Sequence, residues 1–204
     1  VQTERRQCDR LVGFDFTFHM RCFCEDMVER TPELNHIDMS RVAVSFSQAR
    51  TGVDHGMYAS LTPLRFRDGK RQTIRRGRLW GVQRVVDSRG HEMLYILSFY
   101  LPRFLQRPFR EKLCMVMHEL WHIGPRFDGD LRRYAGRCYA HGAAGQHEAP
   151  LDDMIARWFA KNPPKEVYDF LYRNYQELSR KYGVVYGSKW QSPKLVPLDQ
   201  KKAE

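Results

Sequence analysis

His118-Glu119-Leu120-Trp121-His122 sets two histidines four residues apart, with a glutamate directly after the first. On a helix, residues four apart share one face, so the two imidazoles can converge on one metal ion while Glu119 lies one step round the same turn. Zinc suits this set, because neutral imidazoles are good ligands and a catalytic site needs three protein ligands plus a water, whose pKa the ion lowers toward ~7. The ion also polarises a carbonyl, and the glutamate handles the proton. The alternative is a histidine pair that is merely solvated or packed in a core.

Working outward, Leu105, Phe109, Leu113, Val116, Met117, Leu120 and Ile123 recur at three- and four-residue spacing and predict a helix running into the motif. Pro108 is tolerable in a first turn, and Gly124-Pro125 is a stop signal. Cys114 sits one turn before His118 and is a ligand candidate by position, although small buried packing is its simpler role. Trp121 reads most simply as a core anchor.

Upstream, Val12, Phe16, Met20, Phe23 and Met27 predict an amphipathic helix from Val12 to Glu29, ended by Thr31-Pro32. Cys8, His19, Cys22 and Cys24 cluster there, but at a spacing that matches no standard zinc module. Strands are expected over Arg41–Ser47, Met57–Phe66, Arg78–Val86 and Met93–Tyr100, with a turn at Asp87–Gly90. Short connections without crossover helices favour antiparallel pairing. Downstream, Phe127–Gln146 reads as a Gly-rich loop. A helix started by Pro150 follows, then another from Pro164 to Tyr182, and Val184–Tyr186 could add a short strand. The order predicts an α+β domain with a small, mostly antiparallel sheet packed with the motif helix and C-terminal helices, spanning residues 1–192, with 193–204 as a flexible tail.

The formal charge of +10 is substantial for 204 residues. It concentrates in Arg65-Phe66-Arg67-Asp68-Gly69-Lys70-Arg71 and Arg75-Arg76-Gly77-Arg78, with smaller groups at Arg132-Arg133 and Lys201-Lys202. Such a stripe either binds nucleic acid non-specifically through phosphates or is a solvated hairpin that keeps the protein soluble. No groove-reading motif accompanies it. No apolar run would span a bilayer, and the Arg- and Gln-rich start lacks the apolar core of a secretory signal. Five cysteines without framework spacing point the same way, to reduced thiols and a cytoplasmic protein.

Two histidines leave the coordination set incomplete, and Asp128, Asp130, His141 and His147 are the downstream candidates. Asp128 stands where a metzincin places its third ligand, but Pro125 replaces the glycine that pattern needs. Asp130 with Tyr134 resembles the aspzincin signature with the tyrosine displaced by one residue. His141-Gly142 fits better. With His118-Glu119-x-x-His122, Phe127-Asp128-Gly129 and Leu131-Arg132-Arg133-Tyr134-Ala135-Gly136, it makes residues 110–160 resemble a metallopeptidase family of phages and their bacterial hosts. The segment is similar, more loosely, to the SprT-like zinc metalloproteases. The resemblance implies a zincin-like fold, His118, His122 and His141 on Zn²⁺, Glu119 as general base, and a protein or peptide substrate. Tyr134, Tyr139, Arg132 and Arg133 are candidate donors to a developing oxyanion. An exposed strand near Val44, Tyr58 or Tyr95 could hold an extended substrate by strand addition. The basic stripe adds non-specific DNA as a further expected partner. The competing reading is a non-catalytic nucleic-acid-binding domain whose structural zinc is closed by a fourth ligand such as Cys114, Cys138 or His147.

Overall fold

Alternation of buried residues places the centre of the fold at Tyr95–Leu101 (β6), flanked by Val42–Gln48 (β2) and Ala59–Pro63 (β3) in the order β2-β6-β3. In the computed structural model, which describes residues 13–49, 56–133 and 148–198, every second side chain of β6 (Tyr95, Leu97, Phe99, Leu101) turns into the main core. Ile96 points the other way, into a smaller cluster with Ala43, Leu64 and Met93 that Val85 and Trp190 cover. This period-two division is what a sheet with both faces covered requires.

Helices pack on the main face. Phe16–Arg30 (α1) buries Phe16, Met20, Phe23 and Met27 completely, at the spacing the sequence showed, and ends at Thr31. Val12, the expected first residue, lies outside the described residues. Phe109–Trp121 (α3) follows the short helix Arg103–Gln106 (α2), to which Leu105 belongs, and buries Leu113, Val116, Met117 and Leu120. Glu148–Ala160 (α4) lies against α3 and is tied to α1 by Trp158, whose indole N–H donates to Asp26 at 2.8 Å. Phe14–Asp15 (β1) pairs with Val185–Tyr186 (β7), the short strand anticipated at Val184–Tyr186.

Three expectations need correction. The central sheet is mixed, with β3 antiparallel to β6 but β2 parallel to it. A parallel pair needs a long crossover, and here the crossover is made of strands instead of a helix. The helix expected over Pro164–Tyr182 is broken into Lys165–Tyr168 (α5), a 3₁₀ turn at Asp169–Tyr172 and Tyr175–Tyr182 (α6). The buried ammonium of Lys112 on α3 donates to the carbonyls of Leu171 and Arg173, both at 2.9 Å, oxygens that a continuous helix would use for its own ladder. Asn174 and Glu177 then cap α6 reciprocally, restarting the helix. Finally, Leu195–Pro197 (β8), inside the stretch read as a tail, pairs antiparallel with Arg78–Val82 (β5), which also pairs with Gln72–Arg75 (β4). These strands form a second sheet, β4-β5-β8, and β4 lies in the basic stretch that the sequence suggested was only a turn.

Candidate metal-binding and catalytic site

The motif occupies the last turn of α3, with His122 as the residue that closes the helix and donates its N–H to the His118 and Glu119 carbonyls. Met117 and Leu120 are driven into the core, which rotates His118 and Glu119 to the half-buried side of the helix, while His122 is nearly enclosed. The two imidazoles meet edge to face at 89°, with their Nε2 atoms 2.9 Å apart. Two nitrogens each ~2.0–2.1 Å from one tetrahedral ion stand roughly 3.3 Å apart, so this convergence and this neutral, borderline-soft donor set fit zinc.

Glu119 is largely enclosed. Burial pushes its carboxyl up to about 7, against the opposing pull of the Leu61 backbone N–H that donates to it. Leu61 lies in the middle of β3. Tyr100 donates its N–H to the carbonyl of Tyr58, and Leu64 donates to that of Leu94, so the even-numbered residues of this segment face β6. Ala59, Leu61 and Pro63 therefore turn their backbone groups outward, along the edge beside α3. The opposite edge of the sheet, on β2, is covered: Phe46 donates to the Ser188 carbonyl at 2.8 Å, and the Ser45 hydroxyl accepts from Trp190. Of the three strand segments considered for substrate, those of Val44 and Tyr95 lie in a covered edge and in the central strand, which leaves the one after Tyr58. Beside it, a groove of about 460 Å³ is floored by Tyr58, Cys114 and Met115 and rimmed by the pairs Arg107–Glu111 and Arg110–Asp152.

The chain after the motif folds back under it. Ile123 bridges to Leu131, Gly124 donates to the Asp130 carbonyl, and Arg132 donates its N–H to the His122 carbonyl at 2.7 Å. From the central strand, the fully buried Tyr95 hydroxyl donates to the Asp130 carbonyl at 2.8 Å and accepts from the Gly129 N–H at 3.0 Å. Gly129 has φ +88°, and a Cβ there would meet the Arg65 side chain at 2.5 Å, so only glycine suits the turn. Nothing in the local sequence around Tyr95 marks this clamp, and the Leu61 N–H is equally invisible there, since both depend on strand register.

His118, His122 and Glu119 are thus brought together as expected. Among the described residues, no third His, Cys, Asp or Glu joins the two histidines in a metal-holding group. Asp128 instead pairs with Arg126 at 3.1 Å and caps the Asp130 N–H. Asp130 is held by Nε and Nη2 of Arg133 and by the N–H groups of Asp68 and Leu131. The Cys114 thiol leans on Asp152 at 3.5 Å and is pushed up to about 11, chiefly by burial. Arg132 stacks over the half-buried Trp121 ring at 3.9 Å and donates to its carbonyl, so both oxyanion candidates among the described arginines serve the loop. In the upstream cluster, Cys24 is sealed in the core and His19 stacks on Phe14 at 4.4 Å. His141, His147, Tyr134, Tyr139, Cys8 and Cys138 lie outside the described residues. No helix among the described residues is long and apolar enough to cross a membrane. No protein-family model, no curated protein and no solved structure matches the chain.

Proposed function

We propose that this chain is a zinc-dependent peptidase of zincin-like architecture, and the observation that carries the reading is the convergence of the His118 and His122 Nε2 atoms beside Glu119. His118, His122 and, by the resemblance noted above, His141 would hold the ion. Zinc, when bound, polarises the scissile carbonyl and makes water nucleophilic near neutral pH. Glu119, one step from His118 on the same turn, would take the proton from the attacking water and hand it to the leaving amine. The outward N–H and carbonyl of Ala59 and the carbonyl of Leu61 on β3 receive an extended peptide as an added strand, and the neighbouring groove takes one of its side chains. The hydrogen bond from Leu61 ties the base to that strand, so binding and proton transfer share one element.

A hydrogen bond between the two rings would also suit 2.9 Å, which makes metal content the first measurement. One zinc per chain is expected, lost on His118→Ala or His122→Ala, with anomalous scattering at the zinc edge showing His141 as the third protein ligand. Density on Asp128 or His147 in its place would move that assignment, and four protein ligands without solvent would support the structural-zinc alternative. Against a broad pool of unfolded proteins, Glu119→Gln should retain the metal and lose at least ~100-fold in hydrolysis. Full activity in that variant would sink the mechanism.

A further inference from the structure

The basic stretch divides into two parts that the structure treats differently. At its base, the carboxylate of Glu92 is clamped by Arg65 at 2.8 Å, Arg71 at 2.9 Å and Arg84 at 3.3 Å, while Asp68 engages Arg67 and Arg126. At its tip, among the described residues, neither Arg75 nor Arg76 has a carboxylate within ion-pair distance. The tip also breaks two local preferences. Arg75 lies directly opposite Arg78 across the β4–β5 ladder, where like charges destabilise a strand pair. Arg76 occupies the first position of the two-residue turn at φ +51°, with Gly77 at φ +72°, a turn that favours Asn or Gly at both places. Neither choice helps the hairpin fold, and both gather cations at one exposed end.

The tip cations stand over aromatic rings. The Arg75 guanidinium lies 5.8 Å from the centre of Phe66, and that of Arg78 lies 5.9 Å from the centre of Trp80. Trp80 shares one face of the sheet with Arg75 and Arg78, and these residues, with Arg76 and Leu195, line an open groove of about 470 Å³. Cations at the rim and a half-buried indole on the floor are the combination that holds a sugar–phosphate chain while a base stacks. In a duplex the bases are already stacked on each other, so an aromatic floor distinguishes single strands.

We propose that the β4–β5 hairpin is a binding site for single-stranded nucleic acid, with Arg75 and Arg76 on phosphates and Trp80 as a stacking platform. The site is separate from the histidine pair, and the peptidase reading stands or falls without it. The test is fluorescence anisotropy of a labelled oligo(dT) with the full chain across a salt series, with oligo(U), the corresponding duplex and heparin as competitors. Affinity should fall as salt rises, and oligo(U) should compete where the duplex does so poorly. Arg75→Gln with Arg76→Gln should lower the log–log salt slope by about 1.4, two contacts at about 0.7 each for single strands. Trp80→Leu, which keeps an apolar side chain under the groove, should weaken oligo(dT) at least about fivefold with the slope unchanged. Glu119→Gln should bind like the parent. A thermal melt of each variant establishes that the fold is intact. Absent binding at low salt, heparin or duplex matching oligo(dT), or an unchanged affinity in Trp80→Leu would each overturn the proposal.

Discussion

The turn that ends α3 and the tip of the β4–β5 hairpin are both short, polar and rich in charge, yet they are built on opposite terms. Around His122, the backbone from Ile123 to Arg132 is held by the Tyr95 hydroxyl, by the bridge to Leu131 and by the Arg133–Asp130 fork. At Arg75–Arg78 the backbone is held by the two-residue turn and the β4–β5 ladder, and the Arg75 and Arg76 side chains are exposed. Buried polar groups must be satisfied at the moment of folding, so the first region is rigid and intolerant of change. The second can carry charge that the fold does not need. The contrast teaches where to look for precision chemistry and where to look for electrostatic capture.

The comparison can be broken most severely at Glu119. Its folded carboxyl is raised to about 7 from an ordinary 4.5, chiefly by burial. The sign follows from linkage: below the unfolded value both states are protonated and the carboxyl costs nothing, whereas above 7 the folded state holds a buried anion. The metal-free protein should therefore lose stability as pH rises from about 4.5 to 7, by up to about 3 kcal/mol in total. Urea unfolding at several pH values should show this slope in the parent, and Glu119→Gln should abolish it. Parallel pH profiles of the parent and Glu119→Gln across that window would mean the carboxylate is better solvated than its burial indicates.

Tyr95→Phe tests the clamp under the motif. It removes one oxygen and strands the buried Gly129 N–H, while the Asp130 carbonyl keeps the Gly124 N–H, a loss of about 1–3 kcal/mol. Thermal or urea unfolding would measure it. A neutral result would show that the loop is held by the arginine fork instead of from the sheet.

Arg76→Asn gives the smallest expected change, in the opposite direction. Asparagine tolerates the positive φ and removes one charge from the tip, so the hairpin should gain a few tenths of a kcal/mol, below about 1. If it costs as much as Tyr95→Phe, the tip is not the loosely held region described above and the contrast collapses.

Much of the helical layer was legible in the sequence. The spacing of Phe16, Met20, Phe23 and Met27, and of Leu113, Val116, Met117 and Leu120, specifies which face of each helix is buried, because helical pitch is a local property. The same pitch places His118 beside His122 before any tertiary contact is considered. The approximate positions of β2, β3 and β6 were legible in the sequence, but their directions were not. β2 is parallel to β6 because the chain between them detours through β3, β4 and β5, and no residue in β2 encodes that detour.

Only tertiary structure decided the rest. Lys112 breaks the C-terminal helix from α3, across a long separation in the chain. Glu92 and Asp68 sort one run of arginines into structural and exposed members by being near some and far from others. Glu119 acquires its raised pKa from enclosure and from a strand whose register turns Leu61 N–H toward it. Periodicity along one element is written in neighbouring residues. Burial, ion pairing and edge exposure depend on which distant segments arrive alongside, and that is settled when the chain packs.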